Sequence, residues 1–320
     1  MSEPALTQRN PLVSVVIPAY KVAPFVNDAL ESVFAQTVDD YEIVLINDGS
    51  PDTPQLEKEI EKYRDRITYL EQANQGAGAA RNAGLKVARG TYVAFLDGDD
   101  IWLPEFLAEQ LKLIKGEGFD LVYSDAINFG DRDYGSVTNM AVNPSRGDVT
   151  FEKLLCGDCN VITSSVLARL APILEVGGFD TQFPNSQDFD LWLRLAKDAK
   201  AKIGYHHLVL VKRRIYSGSL ASDPLKSFAG ELKVLDKVSL RDDLTESERA
   251  TLRRVVPLRE ATVDAIRGKR FLANGEFDAA YEAFTKAQTS LQSWKIRLVL
   301  AGLRMFPNLM RYWLRTRPTV

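Results

Sequence analysis

Residues 90–104 read GTYVAFLDGDDIWLP. The run Tyr92–Leu96 is uncharged and stops at Asp97-Gly98-Asp99-Asp100. A short apolar run bounded by turn residues is expected to be a strand buried on both faces. Strands of that kind belong to sheets flanked by helices. Carboxylates are costly to bury without partners, so three of them at one strand end mark the mouth of a cleft.

The same pattern repeats towards the N-terminus. Leu12–Ile17 (LVSVVI) ends at Pro18-Ala19-Tyr20, and Tyr41–Ile46 (YEIVLI) ends at Asn47-Asp48-Gly49-Ser50-Pro51. Ile67–Leu70 is a shorter strand. Between them, Phe25–Phe34 and Leu56–Tyr63 have helical spacing, and Gly76-Ala77-Gly78 opens a helix that runs through Ala88. Pro104–Ile114 is helical and Leu121–Asp125 is a fifth strand. This alternation predicts a mostly parallel α/β sheet, in which ligands bind beyond the carboxyl ends of the strands. Three polar strand ends are therefore expected in one cleft.

Beyond residue 125 the alternation fades. Residues 130–150 read as a loop or irregular hairpin. Phe151–Leu155 and Ser165–Leu170 read as helices, Asp188–Ala199 as a helix burying Leu191, Trp192 and Leu195, and Val209–Ile215 as a strand. From about 226 the pattern is helical throughout, which places a domain boundary near 235, with a polar tail over 1–10.

Bulk properties narrow the function. The chain has 320 residues, 45% hydrophobic and 26% charged, with a net charge of −3; a main domain plus a smaller one is expected. That balance creates no field for nucleic acid. The opening MSEPALTQRNP is no secretory signal and no apolar run reaches the roughly 18 residues of a membrane span. Cys156 and Cys159 are too few for a secreted disulfide framework, so a cytoplasmic protein is expected. A zinc site at Cys156-Gly157-Asp158-Cys159 would need further ligands, and His206 and His207, adjacent in a strand, face opposite ways.

Five segments together carry a family resemblance: SVVIPAYKVAPFVNDALESVFAQT (14–37), YEIVLINDGSPD (41–52), NQGAGAARNAGL (74–85), GTYVAFLDGDDIWLP (90–104) and VGGFDTQFPNSQDFDLWLRLA (176–196). In this order they resemble the family 2 inverting glycosyltransferases of GT-A fold. The resemblance spans about residues 12–221. It implies a Rossmann-like, mostly parallel sheet sandwiched by helices over 11–235, followed by an all-helical C-terminal domain over 236–320. It implies transfer of a sugar from a UDP-sugar to an acceptor hydroxyl of a glycan or lipid-linked saccharide, assisted by Mn2+ or Mg2+.

Position by position, the resemblance implies that Pro18, Ala19 and Tyr20 line the nucleoside pocket and that Asp48 holds the base. Gln75, Gly76 and Arg81 lie near base, ribose or phosphates. Asp97 and Asp99 form the DxD pair, with Asp99 on the metal, and Asp97 on ribose or a metal-bound water. Asp188 is the general base. Trp102, Gln187, Trp192, Arg214, Tyr216 and Ser219 are candidates for the acceptor side or lid. Two positions depart from the family: Gln187 replaces a Glu and Tyr216 stands where a His is common. These departures motivate a rival reading, a sugar-nucleotide or glycan-binding protein without turnover. A nucleotidyltransferase would also use paired acids, but its glycine- and arginine-rich loop after the first strand is missing. Gly76-Ala77-Gly78-Ala79-Ala80-Arg81 imitates a dinucleotide fingerprint, with Arg81 where a small residue belongs.

Near the C-terminus, Leu272–Ala280 followed by Ala283, Phe284 and Ala287 resembles one tetratricopeptide-like hairpin, too little for a solenoid. Residues 294–314 are expected to form one helix. After Trp294 every charged residue is basic: Lys295, Arg297, Arg304, Arg311, Arg315 and Arg317. Such a helix either lies on an anionic membrane surface or is a core helix with a solvated basic side.

Overall fold

The computed structural model describes residues 10–131, 134–217, 219 and 223–316, with side chains to residue 312. All but Asn10 of the expected tail lies outside the described residues. The chain divides into two compact units, Met1–Ser217 and Gly218–Val320. The expected boundary near 235 therefore moves towards the N-terminus.

Among the described residues the first unit contains eight strands: β1 (Val13–Ala19), β2 (Tyr41–Asp48), β3 (Thr68–Gln72), β4 (Tyr92–Phe95), β5 (Ile101–Trp102), β6 (Leu121–Gly130), β7 (Val166–Arg169) and β8 (Ile203–Ile215). Its helices are α1 (Val26–Phe34), α2 (Thr53–Ile60), α3 (Ala77–Val87), α4 (Phe106–Gly116), α5 (Asn139–Val142), α6 (Phe151–Cys156), α7 (Leu170–Glu175) and α8 (Gln187–Lys197). One sheet runs β3-β2-β1-β4-β7-β6-β8-β5.

Strands β3, β2, β1 and β4 are parallel, as expected. Because β1 lies between β2 and β4, the ends at Ala19, Asp48 and Phe95 face one edge. Strands β1 and β4 and most of β2 are buried on both faces, whereas β3, at the edge, is half-exposed. Val15, Ile17, Ile43 and Leu45 share a core with Leu30 and Val33 of α1 and with Trp102 and Phe106. Against the opposite face lies α3, packed so closely that a Cβ on Gly84 would sit 2.6 Å from Val16 and 2.9 Å from Ile46.

The far half of the sheet corrects the sequence reading. Residues 166–169, expected in a helix, form strand β7, antiparallel to both β4 and β6. A short apolar run does not separate helix from strand by periodicity; two neighbouring ladders supply the hydrogen bonds a helix would make internally. Strand β8 begins at Ile203, earlier than expected, and the two-residue β5 pairs with it antiparallel.

The second unit is helical: α9 (Pro224–Ser239), α10 (Glu246–Asn274), α11 (Phe277–Leu291), α12 (Trp294–Met305) and α13 (Pro307–Thr316). Arg259 of α10 pairs with Glu231 of α9 at 3.2 Å, which ties α9 to this unit. Helix α10 starts on a capping box made by Thr245 and Glu248 and ends at Gly275, in the left-handed region (φ 89°). The turn returns α11 along α10, giving the expected helical hairpin with Leu272, Ala280, Phe284 and Ala287 buried inside. The expected single helix over 294–314 is broken at Phe306-Pro307. Proline lacks the N–H for the helix ladder and restricts the residue before it, and Phe306 leaves helical geometry (φ −143°, ψ 63°).

Gly90 shows how little slack the parallel half has. A Cβ there would lie 2.6 Å from the backbone nitrogen of Ser14 and the backbone oxygen of Tyr92. Gly90→Ala should cost about 1–3 kcal/mol, measured as a lower urea midpoint with an unchanged denaturant slope.

Candidate active site

The three strand ends meet. A Cβ on Gly98, in the loop after β4, would lie 3.1 Å from the Pro18 carbonyl oxygen, and the Lys21 N–H, after β1, donates to Ser50 Oγ, after β2 (2.6 Å). At the edge, Pro18 and Ala19 are buried in β1, whereas Tyr20 is 43% exposed. Of the three, the tyrosine ring is the one presented outward.

Asp48 is 2% exposed. Its Oδ1 accepts from Gln72 Nε2 (2.7 Å) and the Gln75 backbone N–H (3.0 Å). Its Oδ2 accepts from the Gly76 N–H (2.8 Å) and Asn74 Nδ2 (3.3 Å). A carboxylate has about four acceptor positions, and here the chain fills them. Asp48 thereby organises residues 72–76 and places negative charge at the N-terminus of α3. Contact with a nucleobase would require exchange with a side-chain amide of Gln72 or Asn74. Gln75 itself is exposed.

The acidic loop after β4 sorts its three carboxylates by partner. Asp97, partly exposed, forms an ion pair with Arg81 of α3. Asp100 is buried; its oxygens accept from Ser164 Oγ (2.6 Å) and the Arg214 N–H (2.8 Å). Burial, then the charges of Asp99 and Asp97, push its carboxyl well above the usual range. Asp100 is thus a structural member of the loop. Asp99 lies between these extremes. Burial first, then the charge of Asp97, raise it to about 6, while a hydrogen bond from the Tyr216 hydroxyl opposes the rise.

Two residues from the end of β8 close over this loop. Arg214 donates to the Asp99 carbonyl oxygen (2.9 Å) and to Asp28 (2.7 Å), with its guanidinium over the rings of Phe25 and Phe129. It is a strut rather than an acceptor contact. Tyr216 packs on Phe25 at 4.9 Å between ring centres. Burial and the Asp99 charge push its phenol upward, so at neutral pH it is a hydroxyl donor to Asp99 and no phenolate ligand. Among the described residues, no group of three or more His, Cys, Asp or Glu side chains is arranged around a metal position. Asp97 and Asp99 offer two carboxylates, a donor type that would suit a divalent cation completed by ligands from elsewhere.

Helix α8 brings the candidate base to the same edge. Gly78 of α3 packs against Gln187, whose Cγ would lie 3.2 Å from an added Cβ. With its amide oriented to satisfy both ends, Gln187 accepts from Arg81 Nη1 (3.1 Å) and donates to the Phe183 carbonyl (3.3 Å). Arg81 therefore links Asp97 to the residue beside Asp188. The Asp188 carboxylate accepts from Thr163 Oγ1 (2.9 Å) and the Phe189 N–H (2.8 Å). Asp190 turns away, buried, and pairs with Arg194 at 2.7 Å.

Thr163 and Ser164 were not legible as site residues. Ser164 Oγ accepts from the Asp97 N–H (3.1 Å) and its carbonyl accepts from Trp102 Nε1 (2.7 Å). Neighbouring hydroxyls thus brace Asp188 and the acidic loop. The only trace in the sequence is a small polar run, Thr163-Ser164-Ser165, between two apolar ones. Trp102 and Trp192, candidates for the acceptor side, are each 2% exposed. Trp102 stacks on Phe106, and Trp192 meets Phe179 edge-on; both are packing residues. Ser219 is buried and falls beyond the division between the units.

Residues 14–163 match the model of glycosyl transferase family 2. The chain is 31% identical over 243 residues to an uncharacterized glycosyltransferase of Rickettsia felis, covering 74% of this chain and 39% of that protein. It thus spans about two fifths of the length of that relative. It is 29% identical over 228 residues, 70% of this chain and 85% of the other, to the UDP-Glc:alpha-D-GlcNAc-diphosphoundecaprenol beta-1,3-glucosyltransferase WfgD of Escherichia coli. Two solved structures share the fold. S. aureus TarS 1-349 in complex with UDP aligns at a TM-score of 0.62 and 17% identity, over 95% of this chain and 91% of that one. The mannosyltransferase PcManGT of Pyrobaculum calidifontis, in complex with GDP-Man and Mn2+, aligns at 0.61 and 18%, over 98% and 89%. The sheet with its flanking helices is the GT-A arrangement expected from the motifs.

The acidic loop makes a prediction for the metal-free protein. A native Asp99 carboxyl at about 6 against 3.8 for an ordinary one favours the protonated form. That contribution to stability is complete below the lower value and lost as pH rises through the higher. Asp99→Asn should therefore stabilise the protein near pH 8 by on the order of 2 kcal/mol, allowing for partial solvent screening. Thermal melts at about pH 4 should show the gain gone.

Proposed function

We propose that this chain is an inverting glycosyltransferase that moves a sugar from a UDP-sugar to an acceptor hydroxyl of a cell-surface glycan or lipid-linked saccharide. The observation that carries the proposal is the approach of two acidic sites with different tasks. Asp97 and Asp99 stand at the end of β4, Asp188 at the start of α8, and Arg81, Gln187, Thr163 and Ser164 join them. The choice of UDP is supported by the UDP-Glc named for WfgD and the UDP bound to TarS. The choice of a lipid-linked acceptor is supported by the diphosphoundecaprenol named for WfgD. Such an acceptor sets the reaction at the cytoplasmic face of a membrane.

The chemistry follows from the positions. The exposed ring of Tyr20 offers a face to the base, and the backbone of Pro18 and Ala19 closes the pocket behind it. The Asp188 carboxylate takes the proton of the acceptor hydroxyl. The freed oxygen attacks the anomeric carbon while the bond from that carbon to the diphosphate oxygen breaks on the opposite face, so the configuration inverts. The Thr163 hydroxyl holds Asp188 Oδ2 and the Phe189 N–H holds Oδ1, which orients the carboxylate while each oxygen keeps a second acceptor position. Mn2+ or Mg2+ held by Asp99 and Asp97 would supply positive charge against the departing diphosphate. Use of a divalent cation is supported by the Mn2+ in the PcManGT complex.

Calorimetry should find UDP bound more tightly with Mn2+ than with chelator; equal binding removes the metal from the proposal. Asp188→Asn should lower turnover by about 10²–10⁴-fold with donor binding retained. Asp190→Asn should lower the melting temperature instead, since Asp190 serves Arg194. UDP binding by a wild-type chain that transfers nothing across a panel of donors and acceptors would favour the binding-protein reading. Thr163→Val removes the hydrogen bond that orients the Asp188 carboxylate. It should lower turnover while UDP binding is retained, and Thr163→Ser should restore turnover.

A further inference from the structure

The break at Phe306-Pro307 creates a surface that a single amphipathic helix would not. Within the second unit, α12 buries Ile296 and Leu303 against α11, with Val299 and Leu300 packed beside them. That accounts for one apolar face. A second faces solvent: Trp294, Leu298 and Met305 are 62%, 61% and 69% exposed. Their spacing of four and then seven residues places all three within about 40° of one another around the helix. Phe306 and Leu309, each 57% exposed, carry the strip across the junction into α13.

The strip is held in this position by its inner contacts. Met310 packs its sulfur onto Gly302, which has no room for a side chain. Arg311 donates to the Ala273 carbonyl at the end of α10 (3.0 Å). The apolar strip is thus built into the packing of α12 and α13 on the hairpin.

Its charged border has one sign. Lys295, Arg297 and Arg304 are exposed beside the strip, and none of them makes an ion pair among the described residues. Lys295 also lies close enough to Lys269 to add to the effect of burial in lowering that ammonium. No acidic residue occurs after Trp294. A second copy of the chain would fit poorly, because a two-fold contact would set Lys295, Arg297 and Arg304 against their own kind. Helix α12 has 12 residues, about 18 Å of helix, and among the described residues no helix is long and apolar enough to cross a membrane.

We propose that the outer face of α12, continued through Phe306 and Leu309, seats on an anionic lipid bilayer. The aromatic and aliphatic side chains enter the headgroup region and the lysine and arginines meet lipid phosphates. The surface belongs to the helical unit alone, so this inference stands apart from the transferase chemistry.

The test uses the full chain and vesicles, without donor or acceptor. Protein should co-sediment with vesicles of phosphatidylcholine and phosphatidylglycerol mixed two to one, far less with phosphatidylcholine alone, and less as salt rises. Tryptophan emission should shift to the blue on binding; Trp102 and Trp192 are already buried, and with the fourth tryptophan replaced (Trp313→Phe) the further change Trp294→Phe should remove the shift. Lys295→Glu combined with Arg297→Glu should weaken partitioning at least about tenfold. Leu298→Ser combined with Met305→Ser should weaken it with the charges intact. Equal sedimentation with both lipids, or binding unchanged in both double variants, overturns the proposal. So does self-association, abolished by Leu298→Ser and Met305→Ser, in a chain that ignores the vesicles; that result assigns the strip to a second copy. Both double variants alter exposed side chains, and the charge pair keeps the test decisive should the serine pair unfold.

Discussion

Three carboxylates within four residues, at the end of a buried strand, repel one another and resist leaving water. Much of the first unit answers that one electrostatic problem. Arg81 comes from α3 to neutralise Asp97. Ser164 and the backbone of Arg214 satisfy Asp100, which leans toward its neutral form. Asp99, between these extremes, receives the Tyr216 hydroxyl and is held near 6. The loop thus concentrates unfavourable charge at the end of β4.

The elements that solve this problem also connect the two ends of the proposed reaction. Arg81 reaches both Asp97 and Gln187. A glutamate at 187 would compete with Asp97 for that guanidinium, whereas the neutral amide leaves its charge to the acidic loop. Glutamine at 187 thus has a physical consequence at the acidic loop. Thr163 and Ser164 make a second link, one hydroxyl on Asp188 and the next between Asp97 and Asp100. Displacement of the acidic loop would be felt at Asp188 through both.

The helical unit solves a different problem. Its core needs one face of α12, and the proline at 307 frees the other face and the junction from the continuous stripe of a longer helix. Small residues set the fit: a Cβ on Gly268 would lie 3.0 Å from the ring of Phe284, and Gly302 admits Met310. The apolar side chains left outside share a border of one charge sign, which is why lipid is the better partner than protein.

The sequence by itself determined the four parallel strands, the helices between them and the shared edge at which Pro18–Tyr20, Asp48–Ser50 and Asp97–Asp100 meet. These follow from local patterns, apolar runs closed by turn residues, and from the rule that successive parallel strands end on one side. It also placed Asp188 at the head of a helix and separated it from Asp190 by helical geometry. Only the tertiary structure decided how the polar groups share partners. The four donors on Asp48, the sorting of Asp97, Asp99 and Asp100, the bracing by Thr163 and Ser164, and the burial of Trp102 and Trp192 all arise between residues far apart in the chain. Strand β7 escaped notice for the same reason, since its hydrogen bonds are made to β4 and β6. Hydrogen bonds and ion pairs of that kind depend on distance in space, and a linear pattern carries no record of it.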